Sequence, residues 1–596
     1  MKQASLWWKN FVKIYENQAN KKIFVYLLSM LVGLITGLAV IILKNTTAWV
    51  EQFVDKLNEN SGIELLYLFF PALGIVLTVF VIRVIIRRRV GHDGIPRILY
   101  AISRREGIVE PHNIFSSAIT SALTVGFGGS VGLEGPVVTT GGGIGSNLGK
   151  LFKLNRRQRI LLIGSATAAA ISAIFEAPIA GIVFALEVMM IDLTTASLIP
   201  ISLASITGSL TSIFLTGENV LYTYIDAGEE HLNFLLVLYY TFLGILTGLM
   251  AVYFSASYSL TVNLFKKFKK KRLKFLFGVF SLGILIYLFP PLYGEGYHSI
   301  NEALNQNYDF LFANSFLHGL PHNIWVIILL LLILSLIKVF ATTITFEAGG
   351  IGGIFAPTMF MGAMFGLALA LIVNQTGLIQ VDPESSILVG MAGLLASIIQ
   401  APLTGIFLIS ELTHGYNLML PLMISSIVSF TTVRIFHTNS VYTKQLAKRG
   451  DLLTHHADRN ALTLMNIKDV IETNFKELKP TDSLRKLVDI ISDSERNVYP
   501  VIDKERNLVG LITLDNVRKV MFHPEYYDNT LVQELMFVPE VVLHNTDPME
   551  IIAEKIQKSG KFNVAVLDSK GKYMGFVSRA NVFSTYRSLL REFSAE

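Results

Sequence analysis

The sequence predicts an α-helical polytopic membrane protein built from two related halves with broken, tilted helices and followed by a smaller soluble α/β domain. Hydrophobic residues make up 52% of the 596 residues and charged residues only 16%, whereas ordinary soluble domains contain about 25% charged residues. Long apolar stretches recur from Ile23 to about Phe436, beyond which the composition becomes polar and a second, shorter repeat follows. We therefore expect most of the chain to lie in a membrane.

The apolar stretches are of two kinds. Some are long enough to cross a bilayer, which takes about 20 residues; they include Phe24–Leu43, Leu65–Ile85 and Ile324–Thr343. Others are too short or are interrupted by glycine and proline; they include Phe115–Gly128, Val137–Leu148, Ile354–Leu371 and Ile387–Ile399. Backbone that is not helical is tolerated at membrane depth only inside the protein or beside a water-filled cavity. The interrupted stretches therefore predict an ion path.

The basic residues predict the orientation of the chain. Arg83–Arg89 and Lys266–Lys274 are basic runs between apolar stretches, and cytoplasmic loops carry such an excess of lysine and arginine. Residues 1–22 are basic and aromatic and show no signal-peptide cleavage pattern. We expect a multi-pass protein of the cell membrane with both termini in the cytoplasm and without a nucleic-acid partner. A role of Lys266–Lys274 in binding lipid headgroups is the alternative.

The membrane region repeats itself. SAIFEAPIAGIVFALEV begins at Ser172 and resembles LASIIQAPLTGIFLISEL, which begins at Leu395, and their Ala–Pro pairs differ by 401 − 177 = 224 positions. GLEGP begins at Gly132 and GIFAP at Gly353, a difference of 353 − 132 = 221. One nearly constant offset between separate motifs predicts two homologous halves, and it leaves open whether they are inverted. The predicted membrane domain is residues 23–440, with halves at about residues 23–215 and 234–440.

GLEGP and GIFAP each open a hydrophobic helix with glycine and close its first turn with proline. The first N–H groups of a helix have no partner inside it, so such an end is an anion site. Glu134 places a carboxylate where an anion would sit. An ionised Glu134 is stabilised there by the helix dipole, whereas a protonated one has no charge to hold it. We expect Glu134 to be the gate of an anion path and its proton acceptor; an ordinary helix cap is the alternative.

The polar part of the chain contains a second repeat. Thr481 and Asp482 recur as Thr546 and Asp547 (546 − 481 = 65), and VGLITLDN recurs as MGFVSRAN. Each copy is typical of a strand, a helix, two strands joined by a polar turn, and a second helix. The pattern resembles a pair of CBS modules. The predicted modules are residues 464–527 and 530–593, joined to the membrane domain by a linker at residues 441–463.

The CBS resemblance implies a site for an adenine nucleotide between the modules, where a Thr or Ser followed three residues later by Asp holds the ribose. The pairs here are Thr513 with Asn516 and Ser578 with Asn581. Asparagine still binds a hydroxyl, but it lacks the charge that roughly doubles the strength of such a bond. Nucleotide binding is left open beside a purely dimerising role. We expect no other cofactor, no metal site and no catalytic residues, and therefore no enzyme.

From Gly91 to Tyr442 the chain resembles the CLC family of chloride channels and chloride/proton exchangers. GHDGIP, GLEGP, GIFAP, the paired Ala–Pro helices and SVYTKQLAK carry the resemblance by their order and spacing. It implies a homodimer in which each subunit has its own path for chloride and similar anions. It also implies that backbone N–H groups and hydroxyls hold the anion. The matching residues here are Asp93, Gly94, Ile95, Gly353, Ile354, Phe355 and Tyr442.

Two positions depart from the family pattern. Exchangers of the family usually have an internal proton-carrying glutamate directly after the residue matching Glu187, but Val188 stands there, and Glu187 itself is expected to be structural. Asp93 stands where the family has a serine that donates its hydroxyl to the anion. An ionised Asp93 would repel chloride by about 4 kcal/mol at ~4 Å and an effective dielectric constant of about 20. Three explanations stay open: Asp93 caps its own helix, is protonated, or replaces the missing internal glutamate.

These observations favour chloride transport through a path that Glu134 gates in each subunit. The valine at position 188 favours a channel that is uncoupled from protons, and chloride/proton exchange is the alternative. A CBS-regulated divalent-cation transporter is an alternative of another class. Such a transporter needs clustered carboxylates or carbonyls along its path, whereas the membrane glutamates here are scattered.

Overall fold

The computed structural model describes residues 18–61, 66–88, 90, 94–216, 233–312, 319, 321–413, 415–448 and 465–594. The chain divides into two compact units, residues 1–452 and 453–596. Asp93, the N-terminal residues 1–17 and the linker residues 449–464 lie outside the described residues. The predictions made for them therefore stay predictions.

The described part of the first unit is built from helices. They are α1 (Gln18–Ser61), α2 (Leu66–Phe80), α3 (Ile95–Arg104), α4 (Asn113–Gly126), α5 (Glu134–Leu151), α6 (Arg156–Phe175), α7 (Pro178–Glu187), α8 (Thr195–Leu215), α9 (Phe234–Lys266), α10 (Lys271–Leu288), α11 (Tyr297–Leu304), α12 (Ile324–Ala348), α13 (Phe355–Thr376), α14 (Pro383–Ile398), α15 (Pro402–Leu412), α16 (Met419–Phe436) and α17 (Lys444–Lys448). A π-helical turn, Val81–Ile86, continues α2. By length and composition, 8 of the described helices could cross a membrane.

The expected membrane stretches fall on these helices with one correction. The stretches predicted to span lie in α1, α2 with its π-helical turn, and α12, and α7, α14 and α15 are apolar but short. The stretch from Ile354 to Leu371 was expected to be too short or interrupted. The helix there, α13, instead runs to Thr376 and is long enough to span, with 22 residues. The difference arises because VNQT continues the helix past the apolar residues until Gly377 ends it with a positive φ of 69°.

The same local geometry recurs in the two halves of the first unit. Glu176 follows the end of helix α6 and Gln400 follows the end of helix α14, and both residues take the left-handed conformation, with φ 57° and 55°. Proline then opens the next helix, α7 or α15, after an alanine. Proline suits a first helical position because its fixed φ fits and no N–H is needed there. The repeat seen in the sequence is therefore a repeat of helix–turn–helix units.

The second unit is an α/β fold. Its elements are α18 (Ile467–Val470), β1 (Ile471–Glu472), α19 (Leu484–Ser492), β2 (Val498–Ile502), β3 (Leu508–Thr513), α20 (Leu514–Val517), α21 (Val532–Leu535), β4 (Leu543–His544), α22 (Met549–Ser559), β5 (Asn563–Leu567), β6 (Tyr573–Ser578) and α23 (Arg579–Ser594). One sheet has the order β1-β6-β5-β4 and the other pairs β2 with β3. Strand β1 of the first copy pairs with β6 of the second, so the two copies share a sheet.

The aspartates of the second repeat form its tight turns. Asp503 Oδ1 accepts the N–H groups of Glu505 and Asn507 between the antiparallel strands β2 and β3. Asp568 Oδ1 accepts the N–H groups of Lys570 and Lys572 between β5 and β6. An Asp side chain that binds the backbone two residues on makes such a turn, which explains why Asp recurs at this position of the repeat.

Candidate functional site

The two glycine–proline motifs meet in the structure. Gly132 donates its N–H to the carbonyl of Gly353 at 2.9 Å, and Gly353 donates its own to the carbonyl of Gly132 at 2.7 Å, which forms an antiparallel bridge. A Cβ on Gly132 would lie 2.0 Å from Oε2 of Glu134, and one on Gly353 would lie 2.8 Å from the backbone nitrogen of Gly135. Glycine at 353 lets the two chain segments approach closely, and glycine at 132 leaves room for the carboxylate of Glu134.

Glu134 is the first residue of α5 and is fully buried. Its Oε1 accepts the hydroxyl proton of Tyr297 at 2.7 Å. The backbone N–H groups of Glu134 itself and of Ala356 face the carboxylate, although among the described residues Oε2 has no hydrogen bond of normal geometry. Ala356 lies in the first turn of α13. The carboxylate therefore lies at the N-terminal ends of both α5 and α13, where an anion is stabilised.

A third helix end lies beside these two. Gly94 and Ile95, at the start of α3, are buried. A Cβ on Gly94 would lie 1.4 Å from Oγ1 of Thr139 and 2.9 Å from the carbonyl oxygen of Gly135, so the start of α3 packs against the first turns of α5. The structure thus brings together the predicted residues Gly94, Ile95, Glu134 and Gly353.

The remaining predicted anion ligands are buried in the same core. Ile354 precedes α13 and Phe355 is its first residue, and the Phe355 ring lies 5.8 Å from that of Phe175 and 6.4 Å from that of Phe184. Tyr442, only 1% exposed, precedes α17. Its hydroxyl as an anion ligand stays a prediction.

The Ala–Pro helices cap each other. The carboxylate of Glu187, at the end of α7, accepts the N–H groups of Leu403 and Thr404 at 3.0 and 2.8 Å. The carboxylate of Glu411, near the end of α15, accepts those of Ile179 and Ala180 at 3.0 and 2.8 Å. Each helix therefore places a carboxylate on the N-terminus of the other.

This reciprocal capping shows how the two halves are related. The offset of 224 positions carries Glu187 to Glu411 and Ile179 to Leu403, so corresponding residues make corresponding contacts in opposite directions. The bridge between Gly132 and Gly353 is likewise antiparallel. The two Ala–Pro helices are therefore related by an approximate two-fold rotation, and the structural role expected of Glu187 is visible as a cap on α15.

Val188 follows directly after this cap. It is 5% exposed and belongs to the hydrophobic core of the first unit. The position where the family resemblance implies a proton-carrying carboxylate therefore holds an apolar side chain that packs in the interior.

Sequence reasoning missed three polar residues beside Glu134. Tyr297 donates to Glu134, Glu295 accepts the N–H of Leu133 at 2.9 Å, and Lys338 is fully buried within α12. One signal was available: Lys338 is the single charged residue in the apolar run ILLLLILSLIKVFATTITF, and an ionisable residue at membrane depth is a functional candidate by default.

In the second unit, the residues proposed for nucleotide binding contact other protein groups. The hydroxyl of Thr513 donates to the side chain of Asn516. Ser578 donates to Oε1 of Glu472 at 2.5 Å, and Asn581 donates its amide to the carbonyl of Val470 at 3.1 Å. A ribose would therefore have to compete with these hydrogen bonds.

The fold and the converging helix ends define the class of the protein, a polytopic membrane protein in which helix N-termini meet at a buried carboxylate. The model of the voltage gated chloride channel family matches residues 73–434, and the CBS domain model matches residues 467–523 and 532–588. The chain therefore belongs to the voltage gated chloride channel family and carries a CBS pair.

Curated relatives and a solved structure are similar to more than half of this chain. The "Putative chloride channel protein ClcB-like" of Ralstonia nicotianae is 30% identical over 59% of this chain and 79% of its own. The H(+)/Cl(-) exchange transporter ClcA of Vibrio cholerae is 29% identical over 54% of this chain and 66% of its own. A crystal structure of a slow cyanobacterial Cl-/H+ antiporter shares the fold, with a TM-score of 0.61, 23% identity and coverage of 71% of this chain and 97% of that chain.

Proposed function

We propose that the chain carries chloride across the cell membrane through a path that Glu134 opens and closes. The observation that carries the proposal is the buried carboxylate of Glu134 at the N-terminal ends of α5 and α13. An ionised carboxylate there takes the place of the transported anion. Protonation removes its charge, so that the side chain leaves and chloride occupies the helix ends.

The same helix ends supply neutral ligands for chloride. The N–H groups of Ile354 and Phe355, the start of α3 at Gly94 and Ile95, and the hydroxyl of Tyr442 are the proposed ligands. Neutral donors bind an anion strongly enough for it to enter and weakly enough for it to leave. We expect Tyr442→Phe, which removes one hydroxyl, to weaken chloride binding about fivefold, since a hydrogen bond contributes about 1 kcal/mol. Calorimetry with chloride on the purified chain measures this change.

The transport is proposed to be chloride/proton exchange rather than passage through an uncoupled channel. Relatives from Vibrio cholerae are named exchange transporters, which favours exchange over the channel that the sequence alone favours. The second candidate, an uncoupled channel, rests on Val188, because valine at the internal glutamate position cannot carry a proton. A ClcB-like relative is named a chloride channel protein.

Chloride efflux from proteoliposomes tests the gate. Efflux through the unaltered protein should rise as the pH falls between about 8 and 4, because protonation removes the charge of Glu134. The neutral, isosteric Glu134→Gln should give efflux that no longer depends on pH, or none at all. Efflux through Glu134→Gln with the pH dependence of the unaltered protein would contradict the assignment of the gate.

Assembly and orientation belong to the same proposal. A homodimer with one path in each subunit, in the cell membrane and with cytoplasmic termini, is supported by the family and by the basic runs between the helices. Cross-linking in native membranes should give a dimer, and protease should cut the C-terminal unit only in inside-out vesicles.

The CBS pair is proposed to bind an adenine nucleotide through Thr513, Asn516, Ser578 and Asn581, with chloride as the substrate and no resident cofactor in the membrane domain. Isothermal titration of the full chain with AMP and ATP tests this proposal. Binding that is lost in Ser578→Ala would support it, and the absence of heat with both nucleotides would contradict it.

A further inference from the structure

A short segment between α10 and α11 brings two polar side chains to the gate. In the sequence Gly294-Glu295-Gly296-Tyr297, both glycines have positive φ, 59° and 97°. These left-handed residues bend the chain so that the hydroxyl of Tyr297 reaches Oε1 of Glu134 at 2.7 Å. Oε1 of Glu295 accepts the N–H of Leu133, the residue directly before Glu134, at 2.9 Å. A second carboxylate therefore lies beside the gate.

A buried lysine holds this segment in place. The amine of Lys338 donates to the carbonyl oxygens of Leu292 and Gly294 at 3.2 and 3.1 Å and lies 4.7 Å from the ring centre of Phe360. Its charge also acts on Glu295. The position of Glu295 is thus fixed from both sides, by the end of α5 and by α12.

The cluster lies deep in the membrane region. Lys274, in the basic run that the positive-inside rule assigns to the cytoplasm, pairs with Glu347 at 2.5 Å. Lys338 lies about 14 Å further along α12, at about 1.5 Å per residue, which is about half of a ~30 Å hydrocarbon core. Charges at such a depth interact strongly because little water screens them.

Four ionisable groups face Glu295 from the surrounding helices. They are Glu134 at the start of α5, Glu51 on α1, Tyr297 on α11 and Lys338 on α12. Among the described residues, one amine thus faces three carboxylates. Carboxylates that share a site of low dielectric do not all ionise together, and their protons come off as a coupled set.

We propose that Glu295 is a positioning residue of the gate that shares a proton with Glu134 and sets the pH at which Glu134 leaves the helix ends. The pair of carboxylates takes up one proton from water. When the proton is on Glu134, the path is open. When the proton is on Glu295, Glu134 is ionised and closes the path. The negative charge of Glu295 favours the protonated form of Glu134. The inference rests on the proposed function of Glu134.

Three variants test the inference by the pH dependence of chloride efflux from proteoliposomes. Glu295→Gln keeps an oxygen for the N–H of Leu133 and removes the charge. We expect its midpoint to move about one pH unit towards acid, because Glu134 then ionises more easily. Glu302→Gln makes the same change on α11, where Glu302 binds Asn307, and should keep the midpoint of the unaltered protein. In a Glu134→Gln background, Glu295→Gln should change nothing.

The outcomes separate this inference from the proposed function. If Glu134→Gln removes the pH dependence but Glu295→Gln keeps the original midpoint, the gate stands and the role of Glu295 is overturned. A shift of equal size in Glu302→Gln would also overturn it, because charge loss alone would then explain the effect. If Glu134→Gln leaves the pH dependence intact, the proposed function itself fails. Thermal unfolding of the purified variants shows that the compared proteins are folded.

Discussion

The two helix ends that meet at the bridge of Gly132 and Gly353 have nearly the same backbone and very different side chains. The offset of 221 positions places Glu134 and Phe355 at corresponding sites, each the first residue of its helix. Both side chains are fully buried. Phe355 packs against Phe175 and Phe184, whereas Glu134 lies between the two helix ends. Under the proposed function, the duplicated backbone supplies the anion site, and a single side chain turns one copy into a gate.

Under the proposed function, the difference between the two copies separates two tasks. Two converging helix N-termini stabilise an anion through their N–H groups whatever side chains they carry. A titratable group on both copies would place two carboxylates on one site. With phenylalanine on one copy, the site keeps its attraction for anions and has one protonatable blocker.

Exchanging each of the two side chains for alanine should separate these tasks. Phe355→Ala removes a buried aromatic side chain, which costs about 3–5 kcal/mol, and should lower the free energy of unfolding while chloride efflux stays pH-dependent. Glu134→Ala should abolish the pH dependence at a smaller cost in stability. Unfolding in detergent and efflux from proteoliposomes measure the two effects. Loss of the pH dependence in Phe355→Ala, with the fold intact, would show that the tasks are not separate.

Alanine at the two bridge glycines should likewise affect stability at one position and gating at the other. In Gly353→Ala the new Cβ meets the backbone nitrogen of Gly135 at 2.8 Å, which cannot move aside, so we expect destabilisation of about 1–3 kcal/mol. In Gly132→Ala it meets Oε2 of Glu134 at 2.0 Å, the end of a side chain that can move. That variant should conduct at alkaline pH, where the unaltered protein is closed. Closure of Gly132→Ala at alkaline pH would contradict this placement of the carboxylate.

Removal of either reciprocal cap should lower the free energy of unfolding by nearly the same amount. Glu187→Ala and Glu411→Ala each leave two helix N–H groups without an acceptor, which costs about 1–3 kcal/mol. Glu187 also accepts the hydroxyl of Thr404 at 2.8 Å, so its loss should cost about 1 kcal/mol more. In a Thr404→Val background, which lacks that hydroxyl, loss of Glu187 and loss of Glu411 should cost the same. Chemical unfolding of the three variants measures these costs. A large loss of stability on removal of only one cap would contradict the equivalence of the two caps.

The smallest effect is expected from the repeated aspartates of the second unit. Burial alone would raise the pKa of Asp482, but hydrogen bonds from Lys486 and from the N–H of Lys479 outweigh it and lower the pKa. Burial alone would likewise raise the pKa of Asp547, but hydrogen bonds from Lys555 and from the N–H of His544 outweigh it and lower the pKa. A lowered pKa in the folded state stabilises the fold above the ordinary value of about 4, and this contribution is lost as the pH falls below it.

Asp482→Asn and Asp547→Asn should therefore each destabilise the second unit by about 1 kcal/mol at neutral pH and have no effect near pH ~2. Thermal unfolding of the full chain across this range measures the change. Asp493→Asn, an exposed aspartate after α19, serves as the control for loss of charge. A destabilisation that persists at the acid end would contradict the electrostatic explanation.

The sequence was sufficient for the parts that local motifs specify. GLEGP, GIFAP and the Ala–Pro pairs predicted the broken helices and the related halves, because glycine and proline define helix ends within a few residues. The Asp503 and Asp568 turns and the CBS pair were equally local. Helix α13 was longer than its apolar residues indicated, since polar residues at the end of a span can extend a helix without changing the hydrophobic pattern.

What the sequence could not supply depends on contacts between distant segments. The reciprocal capping of the Ala–Pro helices by Glu187 and Glu411 became visible only in the structure, because letters carry no direction in space. Glu295 lies 161 positions from Glu134 (295 − 134 = 161) in a short loop, and only the left-handed glycines around it bring it to the gate. A lone lysine in an apolar helix was a signal, but its partners are backbone carbonyls that no motif marks.

Under the proposed function, Glu134 is the point where chloride and proton movement are coupled. Proton uptake driven by an outward chloride gradient, recorded in proteoliposomes beside chloride efflux, tests this claim most directly. We predict that protons enter the proteoliposomes as chloride leaves through the unaltered protein. Glu134→Gln should move chloride without protons or move no chloride at all. Chloride efflux through the unaltered protein without any proton movement would contradict exchange and favour the uncoupled channel that Val188 suggests.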